Sequence, residues 1–127
     1  LVEYVKSLVP RGKYTAQQYY CKPDGGNVRG WVTHHENNIW GNTAPAKKST
    51  PHHFPAGAIW MCQDIWEYYQ FNLDKDFLKR YYDTMLEAAL FWVDNLWTDE
   101  RDGTLLPMSS ATAGASMTAD SAAWLFC

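Results

Sequence analysis

The sequence lacks the features that define several classes of protein. Its 127 residues include only three cysteines, Cys21, Cys62 and Cys127, which are too few and too scattered for a disulfide framework or a zinc site. No apolar run approaches the roughly 18 residues that a membrane-spanning helix needs. The net charge of −3 argues against nucleic acid or an anionic membrane as the main partner. Phosphate-binding, dinucleotide-binding and serine-nucleophile motifs are also absent.

Aromatic residues, by contrast, are abundant. They make up 16% of the chain while charged residues make up 20%, a balance that excludes disorder and suits one compact domain. The chain begins at Leu1 within an apolar pattern and finishes in the apolar run AAWLFC, with no helix-terminating signal. We therefore expect residues 1–127 to be one piece of a longer protein, truncated at both ends.

The apolar spacing predicts an all-α fold of four to five helices, alternating inner and outer. Inner helices should be hydrophobic over most of their circumference, and outer ones amphipathic. No strand pattern competes, and 99–119 is predicted as a loop. Pro10 should end the first helix. The predicted helices cover 1–9, 13–21, a stretch opened by Pro55, a stretch from the N-cap Asp74 to about Trp97, and a last one that begins near Ala119 or Asp120.

The connection between residues 28 and 54 holds the most concentrated chemical signal. It carries all four histidines, and connections of this length within a compact domain are usually functional. Residues 30–45 read GWVTHHENNIWGNTAP, combining imidazoles, amides, indoles and one carboxylate, the mixture that binds sugars. The alternative is a structural loop in which asparagines hold turns and tryptophans fill the core. Composition alone does not decide between them.

The two histidine pairs suggest a metal site only superficially. Zinc ligands on a helix normally stand four residues apart, and adjacent histidines point in different directions. We therefore expect no metal and no cofactor. The pairs are His34 with His35 and His52 with His53.

One pair of carboxylates shares a helix face. Asp64 and Glu67 are three residues apart, and such neighbours lie on the same side of a helix. Paired carboxylates can perform acid–base chemistry on a glycosidic bond. A structural role for Glu67 at neighbouring helix ends is the favoured alternative, because structural networks are commoner than sites.

Three separated segments resemble glycoside hydrolase family 95, which contains α-L-fucosidases and related α-L-galactosidases. They occur in the family's order and read GWVTHHENNIWGNTAP, FPAGAIWMCQDIWEYYQF and LDKDFLKRYYDTMLEAALFWVDNL. The resemblance implies an (α/α)6 barrel of twelve helices. At about 11–12 residues per helix plus connections, this chain can supply four or five of them. It is therefore expected to be part of the catalytic barrel.

The resemblance also implies a sugar-binding site. The family's pocket glutamate, in a Glu-Asn-x-x-aromatic-Gly stretch, matches Glu36. Just before the inner helix the family often has a tryptophan, and here the platform falls to His53 or Phe54. The residues expected to bind substrate beside Glu36 are His35, Asn38, Trp40 and His53.

Catalytic residues cannot be carried over. Enzymes of the family invert the configuration at the anomeric carbon, with a glutamate in a Pro-Ser-x-Ser-Pro-Glu motif as the general acid. That motif would fall within residues 104–119, which contain no acidic side chain. Its water-activating Asn-x-Asn and aspartate would lie outside this chain, which we expect to be inactive alone. The resemblance further implies a carbohydrate partner and an extracellular or periplasmic location. Two alternatives remain: a non-catalytic sugar-binding module and a purely structural helical unit.

Overall fold

The computed structural model describes residues 1–45 and 54–107. This part of the chain is all-α apart from one short antiparallel hairpin, and it is consistent with a portion of an (α/α)6 barrel. The predicted last helix near Ala119 lies outside the described residues. The elements are α1 (Val2–Tyr19), α2 (Gly57–Asn72), α3 (Lys75–Asp94), β1 (Leu96–Thr98) and β2 (Leu105–Pro107).

Helix α1 is continuous, so the prediction of two helices separated at Pro10 was wrong. Pro10 is on the exposed side of α1, where water can bond the carbonyl of Lys6 that proline leaves without its helical partner. One buried stripe runs past the proline at helical spacing. Packing of this stripe outweighs the cost of about 3 kcal/mol that an internal proline imposes. Its members are Val5, Leu8, Gly12, Thr15 and Ala16.

Helices α2 and α3 form an antiparallel hairpin joined by a break that the sequence predicted. Leu73 ends α2 in the left-handed conformation, with φ 49°. Asp74 then caps α3, its carboxylate accepting hydrogen bonds from the backbone nitrogens of Asp76 and Phe77, both at 3.0 Å. The predicted break and N-cap are confirmed.

The two helices of this hairpin differ in how much apolar surface they bury. Helix α3 is amphipathic, as predicted for an outer helix. Helix α2 buries only Ala58, Cys62 and Ile65. Its exposed face is rich in large apolar and aromatic side chains, as predicted for a helix that belongs inside a larger structure. They are Ile59, Trp60, Trp66, Tyr68 and Phe71.

The chain between α1 and α2 enters the core rather than covering it. Trp31 is fully buried, and its indole Nε1 donates to the carbonyl of Thr84 in α3 at 2.9 Å. Glycines in both neighbouring helices permit this close approach. A Cβ on Gly12 would stand 2.7 Å from the Trp31 ring, and one on Gly57 would stand 2.6 Å from the Thr33 carbonyl oxygen. The start of the loop is therefore clamped between helices.

The hairpin β1–β2 corrects the prediction of loop without strands. Each strand has three residues, too few for an alternating pattern to be read in sequence. Its turn behaves as the predicted solvated acidic turn: Asp99 accepts from the exposed Arg101, and this hydrogen bonding lowers the pKa of Asp99 to about 2. Among the described residues, no helix is long and apolar enough to cross a membrane.

Candidate functional site

The loop after Trp31 makes a β-turn that presents two of the predicted site residues. The backbone nitrogen of Asn37 donates to the carbonyl of His34 at 3.2 Å. His35 and Glu36 occupy the two central positions, and we call them the His35–Glu36 tip. The turn geometry follows from the polar residues that flank the tip.

His34 fixes the first residue of this turn. The side chain is 1% exposed, with Nε2 2.7 Å from the hydroxyl of Tyr20 and Nδ1 2.7 Å from the carbonyl oxygen of Thr43. The ring also stacks on Tyr20, which packs edge-on against Phe91. Burial raises the pKa of Tyr20, so its hydroxyl stays protonated. We call Tyr20, His34 and Thr43 the His34 clasp.

Asn37 fixes the last residue of the same turn. Its amide nitrogen donates to the hydroxyl of Thr33 at 3.0 Å and to the carbonyl of Asn42 at 2.8 Å. Its amide oxygen accepts a hydrogen bond from the hydroxyl of Tyr4. Asn37 is therefore engaged in structure on both sides of its amide, which is the structural role that the sequence left open for asparagines of this loop.

The His35–Glu36 tip lies beside aromatic side chains at the start of α2. His35 Nε2 stands 3.3 Å from Glu36 Oε1, with 46% and 22% of the two side chains exposed. The His35 ring meets Phe54 edge-on at 6.1 Å, and Phe54 meets Trp60 at 6.4 Å between centroids. Backbone pairing of Thr33 with Ala56 holds the loop beside α2. Carboxylate, imidazole and rings thus converge.

A second β-turn follows at once, with different surroundings. Gly41 donates its backbone nitrogen to the carbonyl of Asn38 at 2.8 Å, and the central positions are the Ile39–Trp40 tip, 84% and 78% exposed. The side-chain oxygen of Asn38 accepts from the backbone nitrogen of Trp40 at 3.0 Å. Arg11 of α1 donates to the carbonyl of Trp40 at 2.7 Å.

This second tip borders a groove along α1 rather than the start of α2. The groove has a volume of about 360 Å³. Its lining combines one end of α1 with the second turn, and it contains none of Glu36, His35 and Phe54. The lining residues are Tyr4, Ser7, Leu8, Pro10, Arg11, Ile39, Trp40 and Gly41.

Comparison with known proteins decides the family. The model of the glycosyl hydrolase family 95 catalytic domain matches residues 1–123. The chain belongs to this family. A relative from Aspergillus niger named "Probable alpha-fucosidase A" is 34% identical over 118 residues, covering 89% of this chain and 14% of the relative. "Alpha-L-fucosidase 2" from Arabidopsis thaliana is 31% identical over 106 residues, covering 83% of this chain and 12% of the relative.

The structure divides the predicted site residues of this family 95 chain. Glu36 and His35 are paired at one tip. Asn38 holds the second turn and Trp40 borders the α1 groove, so these two have different neighbours from Glu36. His53 lies outside the described residues, as does His52.

Two residues beside the tip were not predicted as site residues. Trp60 extends the ring contacts of Phe54. The helical spacing of α2 could have indicated this position, because Trp60 falls between the buried Ala58 and Cys62, on the exposed side of the helix. Tyr20 gave no usable signal, because its contact with His34 crosses fourteen residues of irregular chain.

Within the part of the chain that the structure describes, the geometry does not favour the competing candidates. Asp64 and Glu67 are both exposed on α2. Among residues 1–45 and 54–107, no group of three His, Cys, Asp or Glu is placed to hold a metal ion. Both ring nitrogens of His34 already bond Tyr20 and Thr43.

Proposed function

We propose that this chain belongs to an inverting glycosidase that removes terminal α-L-fucose, or α-L-galactose, from glycans, and that the His35–Glu36 tip binds that sugar. Membership of family 95 and two relatives named as fucosidases support the reaction class. The chain spans 14% and 12% of those relatives. The rest of such a protein would complete the pocket, in an extracellular or periplasmic enzyme.

One observation carries the binding role: a carboxylate is placed beside an imidazole and a pair of aromatic rings. The carboxylate of Glu36 accepts hydrogen bonds from sugar hydroxyls, and His35 offers a ring nitrogen to the same group of hydroxyls. Phe54 and Trp60 supply apolar ring faces for C–H groups of the sugar, including the C5 methyl group of fucose.

Catalysis is a separate matter from binding. An inverting site needs an acid and a base about 6.5–9.5 Å apart, with room for water between them. Residues 104–119, where the family's acid would fall, contain no carboxylate, and the water-activating groups match no residue of this chain. We therefore expect the 127-residue chain to bind sugar without cleaving it.

Calorimetric titration of the chain with L-fucose tests the binding role. We expect saturable binding that Glu36→Gln weakens at least about tenfold, the loss of a charged hydrogen-bond acceptor. Glu100→Gln is the matched control, since Glu100 is an exposed glutamate in another turn, and it should leave the affinity unchanged. D-Glucose should bind more weakly than fucose.

Three results would overturn parts of this proposal. Equal affinities in the Glu36 and Glu100 variants would remove the tip from the site. Absence of any sugar binding would favour the purely structural alternative. An aryl α-L-fucoside assay covers catalysis: turnover by the isolated chain that Glu36→Ala abolishes would contradict the expected inactivity.

A further inference from the structure

We propose that His34 is the positioning residue for Glu36, acting as a neutral ring protonated on Nδ1 that closes the loop from residue 34 to residue 43. This inference rests on the proposed sugar binding by Glu36. The buried contacts of the His34 clasp carry it, because they define both the direction of each hydrogen bond and the segment that the clasp closes.

The direction of one bond follows from its partner, and the direction of the other follows from the proposed neutral ring. A backbone carbonyl only accepts, so the Nδ1 of His34 must donate to Thr43 at 2.7 Å. In a neutral ring the Nε2 is then an acceptor, and it takes the proton of the Tyr20 hydroxyl at 2.7 Å. That hydroxyl is protonated at pH 7 as in any tyrosine, and burial raises its pKa further. The clasp therefore runs from Tyr20 through His34 to Thr43.

The clasp acts on Glu36 through the backbone. His34 is the first residue of the turn, and its own carbonyl accepts the hydrogen bond from Asn37 that defines the turn. Thr43 is itself buried, its hydroxyl 2.7 Å from that of Thr15 in α1. The Thr43 end of the loop is thus tied to α1, the His34 end is tied to Tyr20 just after α1, and the two ends are tied to each other. Glu36 lies two residues from His34, so the closure of the loop determines its position.

Two variants separate the two bonds of the ring. The side-chain amide of asparagine stands as many bonds from Cα as Nδ1 does, so His34→Asn keeps a donor for Thr43. The glutamine amide matches Nε2, so His34→Gln keeps an acceptor for Tyr20 and loses the loop-closing donor. We expect His34→Gln to weaken fucose binding about tenfold and His34→Asn by less than about threefold, with similar losses of melting temperature.

A merely structural histidine gives a different pattern. Affinity would then follow melting temperature in both variants, and equal affinities at equal stability would overturn the proposal. Tyr20→Phe is a milder third variant, because it keeps the ring and the donor to Thr43. It should retain fucose affinity within about twofold, and a tenfold loss there would assign the positioning to Tyr20 instead.

The protonation of the ring can be measured without any sugar. A long-range ¹H–¹⁵N spectrum of the native chain at pH 7 should show the His34 pattern of a neutral ring with the proton on Nδ1. Protonation on Nε2 would overturn the clasp. If the native chain binds no fucose, the proposed function fails, but this spectrum still tests the clasp. The spectrum also tests the clasp if both His34 variants fail to fold.

Discussion

Two consecutive β-turns of one loop differ in what holds them. The His35–Glu36 tip stands on His34 and Asn37, whose side chains bond buried or half-buried groups. The Ile39–Trp40 tip stands on bonds that are exposed, from Asn38 and from Arg11. Hydrogen bonds in a low-dielectric interior cost more to break than those that water can replace. The first turn is therefore the better-fixed support for a ligand-binding side chain.

The two tryptophans of the loop offer the largest test of this difference. Trp31 is fully buried with its indole bonded to Thr84, whereas Trp40 is 78% exposed. We expect Trp31→Ala to lower the free energy of unfolding by about 3–5 kcal/mol through cavity formation and loss of that bond. Trp40→Ala should change it by less than about 0.5 kcal/mol. Urea denaturation followed by circular dichroism measures both.

A comparable loss in the two tryptophan variants would contradict the contrast between the turns. It would mean that the second turn packs as firmly as the first. A small loss for Trp31→Ala would show that the start of the loop is not clamped between the helices.

Variants of the neighbouring asparagines Asn37 and Asn38 test directly what holds each turn. Asn37→Ala leaves the hydroxyl of Tyr4 and the carbonyl of Asn42 without their amide partner, and we expect a loss of about 1–2 kcal/mol in unfolding free energy. Asn38→Ala removes exposed bonds within one turn and should cost less than about 1 kcal/mol. Fucose affinity should fall only in the Asn37 variant; a fall in the Asn38 variant alone would reverse the assignment.

The sequence predicted those features of the fold that local rules control. The break at Leu73, the cap at Asp74 and the amphipathic α3 follow from residues within one or two turns of each other. The prediction failed at Pro10, where a local rule competes with packing. The buried stripe from Val5 to Ala16 continues across the proline. The helical spacing of this stripe was the sequence signal for one continuous helix.

The site was partly accessible from sequence for a related reason. Glu36 and His35 are adjacent, so their pairing needs no long-range information. Trp40 stands in the same loop, but the second turn directs it to a groove on α1. Two turns in succession cannot be resolved from composition, since asparagine favours turns in several positions. The clasp partner Tyr20 depends on tertiary structure.

Two aspartate–arginine pairs extend the comparison of buried and exposed supports to pH. Hydrogen bonds from Arg29 lower the pKa of the buried Asp94 from 3.8 to about 2. Since the folded pKa lies below the unfolded one, the pair stabilises the fold fully above about pH 4. This contribution is lost as pH falls from about 4 to 2. Asp94 also accepts from the backbone nitrogen of Arg29 at 2.7 Å, so it ties the start of the loop to α3.

The pair in the hairpin turn provides the contrast. Asp99 has its pKa lowered to about 2 by Arg101 as well. Its own side chain is 11% exposed, but Arg101 is 87% exposed, against 54% for Arg29, and solvent screens the pair more strongly. We expect Asp94→Asn to lower the unfolding free energy at pH 7 by about 1–2 kcal/mol, allowing for the half-exposed Arg29, and to flatten the stability profile between pH 4 and 2. Asp99→Asn should leave that profile nearly unchanged. If the two variants flatten it equally, equal pKa values rather than burial determine the contribution, and the distinction between the two kinds of support fails.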